Sequence, residues 1–199
     1  MLKKYAKELA ALKKMPGVFK TRDVCRLKIH PRNLYAMVNM GLLEKISRGT
    51  YRLPGRPQEN PDIVNVAIRA PKGVICLISA LAYHGITTQI PREVYLAVAR
   101  GAEMPRLEYP PIRIFRFSKE PLDSGIETHI IDGVPVRIYN PEKTLADCFK
   151  FRGKVGLDTS IEALKMYLRR KNKNLNKLIM YAKICRVENV LRPYLESLL

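Results

Sequence analysis

The chain has 199 residues, with 36 Lys+Arg against 18 Asp+Glu and a formal net charge of +18. Its hydrophobic fraction of 47% is that of a folded protein, and no apolar run approaches the roughly 20 residues of a membrane span. The start, MLKKYAKELAALKK, carries lysines throughout and lacks the apolar core of a secretory signal, so the expected location is the cytoplasm, with no membrane partner.

Cys25, Cys76, Cys148 and Cys185 form no CxxC pair, and only three histidines are present. Neither a zinc motif nor a disulfide framework is expected, and no cofactor. The charge is segregated. Residues 1–58 carry +11, residues 59–149 carry −1 and residues 150–199 carry +8. Two basic ends around a neutral middle point to polyanion-facing or acid-facing modules.

Residues 2–14 read as an amphipathic helix, with Leu2, Tyr5, Leu9 and Leu12 at three- and four-residue steps. Pro16-Gly17 stops it. Thr21 is the expected N-cap of a second helix over 22–27, with Asp23 near its positive end. Pro31 suits the first turn of a third helix that runs to about Met40 and ends at Gly41. Leu34, Met37 and Val38 form its inward stripe. Two β-prone runs, 42–46 and 50–53, surround Ser47-Arg48-Gly49 and read as a hairpin. Three helices and a hairpin describe a winged helix-turn-helix. The segment 54–61, PGRPQENP, is the expected linker.

Further on, 61–70 reads as helix, 73–76 as strand, and 79–84 as a helix closed by Gly85. Strands are expected at 93–99, 112–117, 126–131 and 134–139, with Asp132-Gly133 as a hairpin turn. Asn140 caps a helix that has Pro141 at its first position and runs to about Phe151. From Thr159 the pattern is helical, with Pro193 marking a kink or an early turn. The expected fold is α+β: a winged helix-turn-helix at 1–55, a linker at 56–61, and a mixed α/β domain with a helical C-terminus at 62–199.

A major groove about 12 Å wide admits one helix, whose N-terminal part reaches base edges. In the third helix, Arg32 suits guanine, Asn33 and Asn39 suit adenine, and Tyr35 suits sugar or phosphate. Thr21 and Arg22 open the second helix, where phosphate is favoured. Arg48 and Arg52 belong to the wing. Lys13, Lys14 and Lys20 are generic phosphate partners, and Tyr51 is expected to pack the wing on the helices. His30 stands where a phosphate can meet it; His84 reads as structural; His129 has no partner nearby in sequence. Lys165, Arg169, Arg170, Lys171, Lys173 and Lys177 form a second basic set, open to DNA or to an acidic protein.

No catalytic residue is expected. None of the 18 acids is followed two residues later by Lys or Arg, the spacing of many metal-dependent nuclease sites. Asp123/Glu127 and Glu127/Asp132 are the closest acid pairs, and both flank turn-like glycines. No Walker loop, GxSxG or HExxH is present. The protein is read as a non-enzyme.

The residues also carry a family resemblance. GVFKTRDVCRLKIHPRNLYAMVNMGLLEKISRGTYRL resembles the N-terminal winged-helix domain of AbiEi-family antitoxins and transcriptional regulators. Downstream, ISALAYHGI, VYLAVARGAEMPR and DGVPVRIYNPEKTLADCFKFR are similar to family segments in the same order, over roughly 15–160. The resemblance implies an antitoxin of a toxin–antitoxin pair associated with phage defence. It implies binding of double-stranded DNA at the promoter of its own operon, as an autorepressor, and neutralisation of a nucleotidyltransferase-like toxin. The alternative is a stand-alone regulator whose C-terminal region senses a ligand or mediates assembly. A third reading is a nucleic-acid enzyme. No heptad seam or dimer helix is evident, so a monomer is the expected state.

Overall fold

A computed structural model of the chain describes residues 2–15, 17–55, 59–103 and 107–199. Pro16, the 56–58 part of the expected linker, and residues 104–106 of the basic turn lie outside the described residues. Contacts divide the chain into two units, Met1–Arg69 with Ile130–Pro135, and Ala70–His129 with Val136–Leu199.

In the first unit a 3₁₀ turn, Leu2–Tyr5, leads into α1 (Ala6–Lys13). Then follow β1 (Val18–Lys20), α2 (Thr21–Arg26), α3 (Pro31–Asn39), β2 (Glu44–Ser47) and β3 (Thr50–Arg52). The three strands pair antiparallel in the order β1-β3-β2. This is the expected three helices and wing. The core is one apolar cluster in which Tyr5, Leu12, Phe19, Val24, Leu34, Met37, Leu43 and Tyr51 are each 3% exposed or less.

One local expectation is corrected. Thr21 is not the N-cap of α2; Lys20 is, and Thr21 is the first helical residue. The Asp23 carboxylate accepts from Lys20 N–H at 3.0 Å and so satisfies the capping amide. The hydroxyl of Thr21 is turned to Gly49 O instead. The expected boundary at 56–61 also differs from the contact division. Helix α4 (Pro61–Arg69) groups with the first unit, where Arg69 Nη2 donates to Ile46 O at 2.9 Å.

The second unit holds β4 (Val74–Ile75), α5 (Leu77–Tyr83), β5 (Val94–Ala99), β6 (Ile112–Phe117), α6 (Lys119–Asp123), β7 (Ile126–Ile131) and β8 (Val134–Tyr139). The tip of the β7–β8 hairpin is counted with the first unit. The sheet order is β6-β5-β4-β8-β7. The β4–β5 ladder is antiparallel, whereas β5–β6 and β4–β8 are parallel. The turn residues Asp132 and Gly133 both have positive φ, 50° and 81°, as a tight hairpin requires.

Helices α7 (Pro141–Lys150), α8 (Arg152–Val155), α9 (Leu157–Leu168), α10 (Leu175–Ile184) and α11 (Glu188–Glu196) complete the unit. Tyr95, Ala97, Phe115 and Phe117 of the sheet join Leu145, Phe149, Leu164, Leu178 and Leu191 in one core. Pro193 sits inside α11, past its first turn, and removes one amide from the helix ladder.

Helix α7 is the central element and is unusually polar for its depth. Asn140 caps it, its Oδ1 accepting from Lys143 N–H at 2.9 Å. Glu142, Lys143, Thr144 and Asp147 are all buried. Each has a partner. Lys143 Nζ lies 2.5 Å from Asp147 Oδ2 and 4.1 Å from the Tyr139 ring centroid. Asp147 Oδ1 accepts from Cys185 Sγ at 3.3 Å. Glu142 Oε1 accepts from Tyr167 O–H at 2.7 Å. Burial pushes the Asp147 carboxyl above its usual range, with Lys143 pulling the other way. Among the described residues, no helix is long and apolar enough to cross a membrane.

Candidate nucleic-acid interface

Helix α3 is built to present one face. His30 Nδ1 accepts from Arg32 N–H at 3.1 Å and caps it, and Pro31 takes the first helical position. Gly41, at φ +68°, ends the segment. His30 thus serves as a cap. Leu34 and Met37 anchor the inner side at 0% exposure. Arg32, Tyr35 and Asn39 lie at steps of three and four, so they share the outer face. All three are exposed, Tyr35 at 54%.

Asn33 is not brought into that group. It is half-buried, and its Nδ2 donates to Glu8 Oε1 of α1 at 3.4 Å. Two further expected contacts also have partners within the unit. Thr21 N–H donates to Gly49 O at 3.0 Å. Arg52 Nε lies 2.5 Å from Glu44 Oε2, directly across the β2–β3 ladder.

Arg48 is exposed at the tip of the wing. Arg22 and Arg26 of α2 have side chains 71% and 78% exposed, each within 3.8 Å of Asp23. Ion pairs this exposed are weak. The three acids of residues 1–58 are Glu8, Asp23 and Glu44, and all three have partners inside the unit. Within residues 1–58, what remains unpaired and outward is positive.

The sequence reading passed over Arg26, Lys28 and Lys45, which are exposed on the same unit. The charge count had included them, but no motif singled them out. Lys28 holds the α2–α3 turn with φ 59°. Tyr51 packs the wing as expected, at 1% exposure. Its phenol is pushed above its usual range, chiefly by burial.

In the second unit the expected basic set is divided. Lys165, Arg169 and Lys171 are exposed. Arg170 Nη2 donates to His84 O, and Lys173 Nζ donates to Leu168 O at 2.9 Å. Lys177 is half-buried, its N–H donating to the Asn174 cap. His84 packs inside, with Nε2 2.7 Å from Tyr139 O. His129 Nε2 lies 3.5 Å from Glu127 Oε2, which pairs the two only when the ring is protonated, and that nitrogen makes no hydrogen bond among the described residues. The unit also has an open cavity of about 530 Å³ lined by Ile78, Ile90, Arg92, Glu93 and Tyr95, among others. Among the described residues, no group of three His, Cys, Asp or Glu can hold a metal ion.

Comparison with known proteins bears on the N-terminal family and on the fold. Residues 6–54 match the AbiEi_4 family model, described as "Transcriptional regulator, AbiEi antitoxin". The downstream resemblance lies beyond the matched segment. No curated protein matches the chain. The crystal structure of the RV2827C protein from Mycobacterium tuberculosis is similar in fold, with a TM-score of 0.61 at 11% identity. The alignment covers 97% of this chain and 80% of that one.

Proposed function

From an N-terminal module of the AbiEi antitoxin–regulator kind, we propose that this protein is an antitoxin that binds the promoter of its own operon as an autorepressor. It also neutralises a nucleotidyltransferase-like toxin. The observation that carries the DNA half is the outer face of α3. Arg32, Tyr35 and Asn39 stand exposed in a segment, residues 1–58, whose three acids are all internally paired.

In this reading α3 enters the major groove. Arg32 and Asn39 read base edges, and Tyr35 packs on sugar or phosphate. Arg22 and Arg48 meet phosphates on either side. Asn33 reads a base only by leaving Glu8. Thr21 and Arg52 belong to the frame of the wing. Lys165, Arg169 and Lys171 offer a further basic face to DNA or to the toxin. The protein acts as a monomer in the cytoplasm, without catalysis of its own.

A salt titration of binding to the DNA upstream of its own gene, beside a scrambled duplex, tests the first half. A preference of about 10³ or more supports a specific regulator. Equal, salt-sensitive binding to both leaves only the +18 charge at work. Co-expression with a neighbouring nucleotidyltransferase-like gene tests the second half: restored growth is expected, and persistent toxicity removes it. The alternative is a stand-alone regulator whose second unit senses a ligand. The open cavity beside Tyr95 is the observation on its side.

A further inference from the structure

One residue fastens the wing turn to the start of α2. Thr21 N–H donates to Gly49 O at 3.0 Å, and Thr21 Oγ1 donates to the same oxygen at 3.4 Å. Tyr51, next to Thr50 on β3, is 1% exposed, so the strand that follows Gly49 is anchored in the core of the unit. The β1–β3 register sets Lys20 beside Thr50 and Phe19 beside Tyr51. Residues 19–21 and 49–51 are therefore held side by side. Gly49 has φ +73°, a conformation that L side chains rarely adopt. Arg48 is exposed and is the next residue out from this clamp.

Both polar groups of Thr21 are thus engaged inside the unit. A phosphate at Thr21 has to displace Gly49 O, whereas a phosphate at Arg48 displaces nothing the clamp needs. We infer that Thr21 is a positioning residue: it holds the wing turn through Gly49 O so that Arg48 meets DNA, and does not itself contact phosphate. The inference rests on the DNA-binding reading above. A turn already ordered before binding loses less freedom when it docks.

The test uses the full chain, the upstream duplex and a salt titration, with Thr21→Val, Thr21→Ser, Arg48→Ala and the double variant Thr21→Val/Arg48→Ala. Thr21→Val is expected to weaken binding about fivefold, the scale of one hydrogen bond. Its salt slope falls toward that of Arg48→Ala, which loses about 0.9 for one phosphate contact. Thr21→Ser restores both. Adding Thr21→Val to Arg48→Ala changes nothing further, because the clamp has no arginine left to aim.

Additive effects with an unchanged salt slope assign Thr21 a direct contact and overturn the inference. So does parent-like binding by Thr21→Val. If Thr21→Val does not fold, Thr21→Ala removes the same hydroxyl without the branched methyl and is read against Arg48→Ala in the same way. A parent protein that binds both duplexes equally defeats the DNA-reading proposal itself. A discriminating parent with an indifferent Thr21→Val defeats only the clamp.

Discussion

Lys143 and Asp147 face each other one turn apart on α7, Nζ to Oδ2 at 2.5 Å, and neither side chain reaches water. Each charge was removed from water, and the other compensates it, with the Tyr139 and Phe117 rings beside Lys143 and the Cys185 thiol beside Asp147. Removing one partner leaves the other buried and unpaired. Asp147→Ala is expected to lower stability by about 3–5 kcal/mol, and Lys143→Met/Asp147→Leu to recover most of that. Denaturant midpoints decide it. A single-variant loss below about 1 kcal/mol, typical of an exposed pair, contradicts the burial argument.

Gly125 should tolerate no side chain. Its φ is +74°, and a Cβ there lies 2.6 Å from Lys143 Cβ. Gly125→Ala combines backbone strain with overpacking against the buried pair, and a loss of about 2 kcal/mol or more is expected. A melting temperature equal to the parent's contradicts this.

Arg32→Ala is expected to cost about 1–3 kcal/mol of specific DNA binding and to relax the sequence preference. Arg52→Ala differs, because its guanidinium is engaged with Glu44. It should change the salt slope by much less than the ~0.9 of a full phosphate contact. Titrations of both variants on one duplex separate the two roles; a full unit lost from the slope by Arg52→Ala sinks the distinction.

His84 makes stability depend on pH. Burial, the largest influence, pulls its imidazole below the ordinary 6.5. The Tyr139 carbonyl and Glu127 act upward, and His129 and Arg170 downward. As pH falls through 6.5 the unfolded chain takes up a proton that the folded chain resists, so stability falls. Above 6.5 the full contribution is present. His84→Gln keeps a donor toward Tyr139 O and cannot titrate. The parent should lose more melting temperature than His84→Gln between pH 7.5 and 5.5. Equal losses rule His84 out as the source.

Cysteine reactivity gives a check on burial. Cys25 is exposed, whereas Cys76, Cys148 and Cys185 are buried. Burial pushes the Cys76 and Cys148 thiols well up, and Cys185 to about 12. Only thiolates react readily. A thiol reagent should modify one cysteine quickly in the native protein and all four in denaturant. Fast native reaction of a second cysteine contradicts the packing around α7.

The winged module was legible in the sequence because its signals are local. Pro31, Gly41 and Gly49 punctuate it, and Leu34 and Met37 mark its inner face. Strands 112–117, 126–131 and 134–139 were readable for the same reason, from β-prone residues and the Asp132-Gly133 turn. Their order in the sheet was not, since the pairing of Ile75 with Ile138 spans 63 positions and leaves no local trace. The short helices α6 and α8 went unread because one turn has no period to detect. The site was read less fully. Arg32, Tyr35 and Asn39 follow from helix geometry. The engagement of Asn33 by Glu8, and of Thr21 by Gly49, depends on residues 25 and 28 positions away. Residue type alone therefore marked Asn33 and Thr21 as available when both are already held.

The two-residue strand β4 has a consequence for the order of assembly. It joins a nearby ladder, through Val74↔Ala97 and Ile75↔Leu96, to a remote one, through Ile75↔Ile138. The nearby ladder closes a short loop and can form early; the remote one waits for a chain made through residue 139. During synthesis the strands β4, β5 and β6 therefore stand for a time with an open edge at β4, before β8 arrives to close it. Pulse-labelled hydrogen exchange should show amides of Leu96 to Val98 protected before those of Val136 to Ile138, and the reverse order excludes this route.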